Sequence, residues 1–135
     1  MVELYMARTC RYGTLRVIGG DLHKQEGDVL VTPANNRLSG REGLDAMVHK
    51  AAGEELRQKC RDISVDQRTK NLPPCPVTTC VTTEPYNLKD KFKHIIHLVG
   101  PDCRRPNQDE GRRELIREAY ASLIAELKSM KKVKT

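Results

Sequence analysis

Asn35 follows the apolar run Val29-Leu30-Val31, and Asp45 lies just beyond the glycines Gly40 and Gly43. A carboxamide at a strand end holds a hydroxylated ligand through both donor and acceptor groups. A carboxylate in the first turn of a helix positions or activates a water. Between them, Gly40-Arg41-Glu42-Gly43-Leu44 leads from strand to helix, and in that arrangement backbone N–H groups and the helix dipole face a bound anion, phosphate above all. Asn35 and Asp45 are therefore expected to point into one hole. Upstream, Gly19-Gly20-Asp21-Leu22 follows the strand-like Leu15-Arg16-Val17-Ile18. An acidic residue just past a strand end, beside a Gly-lined phosphate site, is placed to grip a sugar or a base. Asn and Asp are also common turn and cap residues, so a purely structural role stands beside the chemical one.

The elements that must hold these groups alternate along the chain. Residues 15–18 and 28–32 read as short apolar strands, and 44–60 as one helix with Leu44, Met47, Val48, Ala51, Ala52, Leu56 and Cys60 on one face. The charged, Pro-containing segment from Asp62 to Pro76 reads as a loop. A strand over 78–83, a turn or short helix at Tyr86-Asn87-Leu88, a buried strand over 94–99 and a loop over 102–111 follow. Ile116, Ala119, Tyr120, Leu123, Leu127 and Met130 then mark a second amphipathic helix. Strand, helix, strand, helix is the α/β class. No strand follows that last helix to complete the sheet, so the domain is expected to be incomplete at its C-terminus.

At 135 residues, 38% of them apolar, the chain supports a single domain over 1–135. With one Phe and no Trp, its core is aliphatic and offers few stacking sites for bases. No apolar run is long enough to span a bilayer and the N-terminus lacks a secretion-signal pattern, so an intracellular protein, cytoplasmic or nuclear, with no membrane partner is expected. Cys10, Cys60, Cys75, Cys80 and Cys103 are odd in number and irregular in spacing, which favours reduced thiols over a disulfide framework. Cys75 and Cys80 have no second Cys/His pair at matching distance, and His94 and His97 fall on opposite sides of a strand; no metal or cofactor is expected. The formal charge is +6, with nine Lys/Arg against five Asp/Glu from Arg104 onward. That basic C-terminal region is a candidate face for poly(ADP-ribose) or nucleic acid.

Several separate motifs, in order, resemble those of the macrodomains, α/β/α modules that bind ADP-ribose. They are Gly20-Asp21-Leu22, Val31-Thr32-Pro33-Ala34-Asn35, Leu38, Gly40 to Gly43, Leu44-Asp45, Met47-Val48-His49 and Ala51-Ala52-Gly53. Tyr86-Asn87-Leu88 and Ile95-Ile96-His97-Leu98-Val99-Gly100-Pro101 continue the match. The resemblance covers about residues 14 to 130. It implies a three-layer α/β/α sheet lacking its last strands and helix. It implies that Asp21 accepts from the adenine amino group with the Gly20 and Leu22 backbone nearby, that Asn35 contacts the distal ribose, that Thr32 is among the ADP-ribose-binding residues, and that Gly40, Arg41, Glu42, Gly43 and Leu44 wrap the pyrophosphate. In members that remove mono-ADP-ribose from proteins, an Asp at the Asp45 position helps a water attack; Asn35 and Asp45 would be the catalytic pair here. His97, Gly100 and Pro101 would serve the fold.

The departures from the pattern bear on function. Thr32 stands where the family has Asn and offers fewer polar groups. Arg41 and Glu42 stand where the family has Gly, so side chains and a negative charge enter the phosphate loop unless Arg41 turns inward to offset Glu42. Three functions are consistent with this pattern: a module recognising free or protein-linked ADP-ribose, a mono-ADP-ribosyl-protein hydrolase, and a degenerate macrodomain turned to nucleic acid or a protein partner.

Overall fold

The structure, a computed structural model, describes residues 2–102 and 109–135, with the side chains of 109 and 110 left out of the description. Its elements are β1 (Glu3–Cys10), β2 (Gly13–Gly19), β3 (Val29–Ala34), α1 (Gly43–Ala52), α2 (Glu54–Thr69), β4 (Cys80–Thr83), β5 (His94–Val99) and α3 (Asp109–Ser129). Short 3-10 turns cover Leu22–Lys24 and Tyr86–Leu88.

The apolar runs at 29–34 and 94–99 pair in parallel, Val31 opposite Ile96 and Thr32 opposite His97. β4 adds to the far side of β5 in the antiparallel sense, so the order is β3-β5-β4 and the sheet is mixed. Pro33 has no N–H to donate, and β3 accommodates it because it is an edge strand of that sheet. Alternation along β5 sends Ile95, His97 and Val99 to the α1 side and Ile96 to the α3 side. On the α3 side, Ser122 Oγ donates to the Thr78 carbonyl at 2.6 Å and Thr82 Oγ1 to Glu126 Oε1 at 2.7 Å. The result is the three-layer α/β/α arrangement.

The core lies between the sheet and α1–α2. Leu30, Val48, Ala52, Leu56, Cys60, Ile95 and Val99 form it, with Val48, Leu56 and Ile95 fully buried. Burying a leucine of that kind contributes on the order of 2 kcal/mol.

Four expectations are corrected. Residues 15–18 belong to β2 of an exposed β1–β2 hairpin, and β1 escaped notice because its alternation Leu4, Met6 faces solvent rather than a core. The single helix over 44–60 is two helices that meet at Gly53, whose φ of 98° ends one and begins the next. A Cβ at residue 53 would stand 2.5 Å from Asn87 Nδ2. Leu44 and Met47 fall off the buried face and are 37% and 47% exposed. The expected loop from Asp62 is helical to Thr69, because its charges are solvated on α2's outer side while Leu56, Cys60 and Ile63 pack inward. The expected loop to 111 gives way at Asp109, where α3 begins; Cys103 lies outside the described residues. Cys10, Cys60, Cys75 and Cys80 are free thiols. Among the described residues, no helix is long and apolar enough to cross a membrane.

Candidate functional site

The C-terminal ends of β3 and β5 open onto a cleft of about 670 Å³. Ala34, Asn35 and Asn36 form its β3 side, and Val99, Gly100 and Pro101 its β5 side. Ligands of open α/β sheets sit in such crevices beyond the carboxyl ends of strands, and the volume falls within the usual range for small-molecule sites.

Asn35 folds the loop that walls the cleft. Its Oδ1 accepts from the Arg37 and Ser39 backbone N–H groups at 3.1 Å each, and its Nδ2 donates to Ser39 Oγ at 2.6 Å. The Asn35 carbonyl accepts from Leu38 N at 3.0 Å. This turn carries Leu38 into the core at a φ of 53°, a left-handed conformation that a leucine adopts at a cost and that its burial offsets. Gly40 follows at φ 62° and lies flat against the His49 ring; a Cβ there would collide with the imidazole. The loop then enters α1 through Gly43 at φ 56°.

Asp45 does not point where Asn35 does. It is 4% exposed, is absent from the cleft wall, and accepts from Thr32 Oγ1 at 2.9 Å. His49 Nε2 stands 3.7 Å from Asp45 Oδ1, His49 packs edge-on to His97, and His97 Nε2 meets Thr83 Oγ1 at 3.0 Å. Buried polar groups thus line up from β3 through α1 to β4, hydrogen-bonded at the Thr32–Asp45 and His97–Thr83 ends, while both His49 ring nitrogens make no hydrogen bond among the described residues. Burial pushes the Asp45 carboxyl up, opposed by the Thr32 hydrogen bond and the charges of His49 and Arg57. Burial pushes His49 down, and His97 down to about 4. Thr32, expected among the ADP-ribose-binding residues, is fully buried and donates to Asp45.

The two loop residues that replace glycine part company. Glu42 lines the cleft, whereas Arg41 lines a separate groove against α2. The inward-turning Arg41 that would offset Glu42 is therefore not observed. Gly43 and Leu44 start α1 beside them. Gly20-Asp21-Leu22 lies apart: Asp21 is exposed and pairs with Lys24 Nζ at 3.2 Å, and Leu22 packs on the core. Gly100 and Pro101, expected to serve the fold, line the cleft, as do Asn36 and Val99, which the sequence reading did not place there. Their place at matching ends of two parallel strands was the available signal.

Among the described residues, His49, Cys60 and His97 form the one group with three ligand-type atoms within 4.8 Å. Burial drives the Cys60 thiol up to about 11 and both imidazoles toward neutrality. A thiol held protonated is a poor ligand, because metals bind the thiolate.

The family model of the macro domain matches residues 31–135. The chain belongs to the Macro domain family. It is 35% identical to a macro domain-containing protein of Methanosarcina mazei over 121 residues, 90% of this chain and 57% of that one. It is 34% identical to the O-acetyl-ADP-ribose deacetylase of Escherichia coli K12 over 110 residues, 82% of this chain and 57% of that one. Among solved structures it resembles the Oceanobacillus iheyensis macrodomain with ADP, at TM-score 0.84 and 27% identity, covering 99% of this chain and 66% of that one. The chain spans about half the length of the curated macro domain relatives it matches.

Proposed function

We propose that the cleft at the ends of β3 and β5 binds ADP-ribose, free or attached to a protein. The observation that carries this reading is the pairing of Asn35–Asn36 with Val99–Gly100–Pro101 around one crevice, walled by a loop whose backbone is left-handed at Leu38, Gly40 and Gly43. Backbone turned in this way directs N–H groups outward, and α1 adds the positive end of its dipole. Solved macrodomains of similar fold hold ADP, which supports the same ligand class here. In this reading the pyrophosphate lies along residues 40–44 and the adenine end reaches toward Asp21. Calorimetric titration with ADP-ribose is the test. A saturable isotherm that Asp21→Ala weakens about tenfold, the scale of one hydrogen bond to a charged group, is expected. No heat at millimolar ligand overturns the reading.

A second reading, hydrolysis of an ADP-ribosyl bond, is favoured by Asp45, a carboxyl that burial pushes up and that stands in the first turn of α1 beside the loop. The deacetylase among the relatives supports it. Asp45 sits behind the cleft wall, so this reading requires the 35–43 loop to open. Turnover of a mono-ADP-ribosylated protein that disappears in Asp45→Ala, with ADP-ribose binding retained, is expected; turnover that survives excludes Asp45.

A further inference from the structure

We propose that the groove between the 37–41 loop and α2 holds the phosphate backbone of a single-stranded nucleic acid. The groove has a volume of about 350 Å³ and adjoins the ADP-ribose cleft at Arg37, which lines both. Five guanidinium groups, Arg37, Arg41, Arg57, Arg61 and Arg68, line it, and among the described residues its walls carry no carboxylate.

The α2 members are aligned by sequence. Arg57, Arg61, Ser64 and Arg68 recur at intervals of four, three and four residues, which places them on one helix face. At 1.5 Å per residue the row extends about 16 Å. Of the acids of this helix, Asp62 accepts from Gln58 and Asp66 pairs with Lys70, while Glu54, in the first turn, reaches Arg61. Of the five arginines, Arg61 pairs with Glu54 at 3.0 Å, and the Arg57 charge also acts on the buried Asp45 carboxyl. Like charges four apart on a helix repel by a few tenths of a kcal/mol, so the row is a small destabilisation that an anionic ligand removes.

The chemistry selects the occupant. Guanidinium forks match phosphate oxygens bidentately, and Ser39 and Ser64 in the same walls add hydroxyl donors. A strand of nucleic acid presents a regular file of charges to a regular file of arginines, whereas the carboxylates of an acidic peptide sit on flexible side chains that must first be ordered. No aromatic side chain lines the groove, so the contact is with backbone and independent of base sequence. A concave site suits a single strand, because a duplex is read by elements that project into its own grooves. This site does not depend on the ADP-ribose reading.

Fluorescence anisotropy with a labelled single strand of about 12 nucleotides tests it. The expected result is binding that weakens steeply with salt. Arg61→Ala with Arg68→Ala should raise the dissociation constant about tenfold and lower the salt slope by about 1.4, the single-strand value for two lost phosphate contacts, while the ADP-ribose isotherm stays unchanged. Both residues are exposed, and the melting curve of the variant checks that it folds. Lys131→Ala with Lys132→Ala and Lys134→Ala should leave strand binding within about twofold, separating the groove from the basic C-terminus. The proposal is overturned if no strand binds at low salt, if the arginine variant binds like the parent, if the lysine variant takes the loss, or if a poly-glutamate peptide of equal charge competes as well as the strand.

Discussion

Thr32 Oγ1 donates to Asp45 Oδ1 at 2.9 Å, tying the end of β3 to the first turn of α1 with both residues buried. The threonine methyl packs while its hydroxyl satisfies an acid that water cannot reach. Thr32→Val keeps the shape and strands the acceptor, so stability should fall by about 1–3 kcal/mol in urea unfolding. Thr32→Ser should keep most of it. Equal stability in the valine variant would show that Asp45 finds another donor.

His97 titrates near 6.5 in the unfolded chain and at about 4 in the fold. Between those values the unfolded state carries the extra proton, so stability is full above about pH 6.5 and drains away as the pH falls toward 4. The gap is worth about 3 kcal/mol. His49, also pushed down, acts in the same direction, while Asp45, pushed up, opposes it above its unfolded value of 3.8. Urea midpoints should therefore drop between about pH 7 and about pH 4.5. Replacing His97 by Gln should flatten that dependence.

Glu42 puts a carboxylate on the wall that is proposed to meet pyrophosphate, while Arg41 faces the other way. Glu42→Gln should tighten ADP-ribose binding by about fivefold at low salt, a repulsion of about 1 kcal/mol for an exposed charge. The gain should shrink as ionic strength rises. Weaker or unchanged binding at low salt would mean that phosphate does not approach residue 42.

Gly40 at φ 62° lies against His49. Gly40→Ala therefore meets both a left-handed backbone penalty and a ring collision, and should cost upwards of about 1 kcal/mol. Adding His49→Ala should recover the collision share and leave the backbone share, a coupling that a double-mutant cycle reads directly.

The fold was legible where burial and period agreed. β3 and β5 read as apolar runs and lie within a residue or two of expectation, and the Tyr86–Leu88 turn is present. β1 was invisible because a solvated hairpin has no buried face to leave a pattern. Charge disguised the second half of α2. At the site, Asn35 and Glu42 line the cleft, but Thr32 and Asp45 are directed inward against each other, thirteen residues apart in sequence, with His97 opposite Thr32 on β5 and His49 one helical turn beyond Asp45. Side-chain direction at a strand end depends on the opposing helix, which spacing does not encode. The arginine groove needed the bend at Gly53 before its members could be seen together.

That bend has a consequence for the molecule's charge. If residue 53 were helical, residues 43–69 would form one straight rod of about 40 Å, and the guanidinium file would run out along the axis of α1, away from residues 37 and 41. One glycine, held at a φ of 98° that side chains rarely adopt and close against Asn87, turns the second segment so that its cations gather beside the loop. The protein's positive potential is thus shaped by a residue that bears no charge at all.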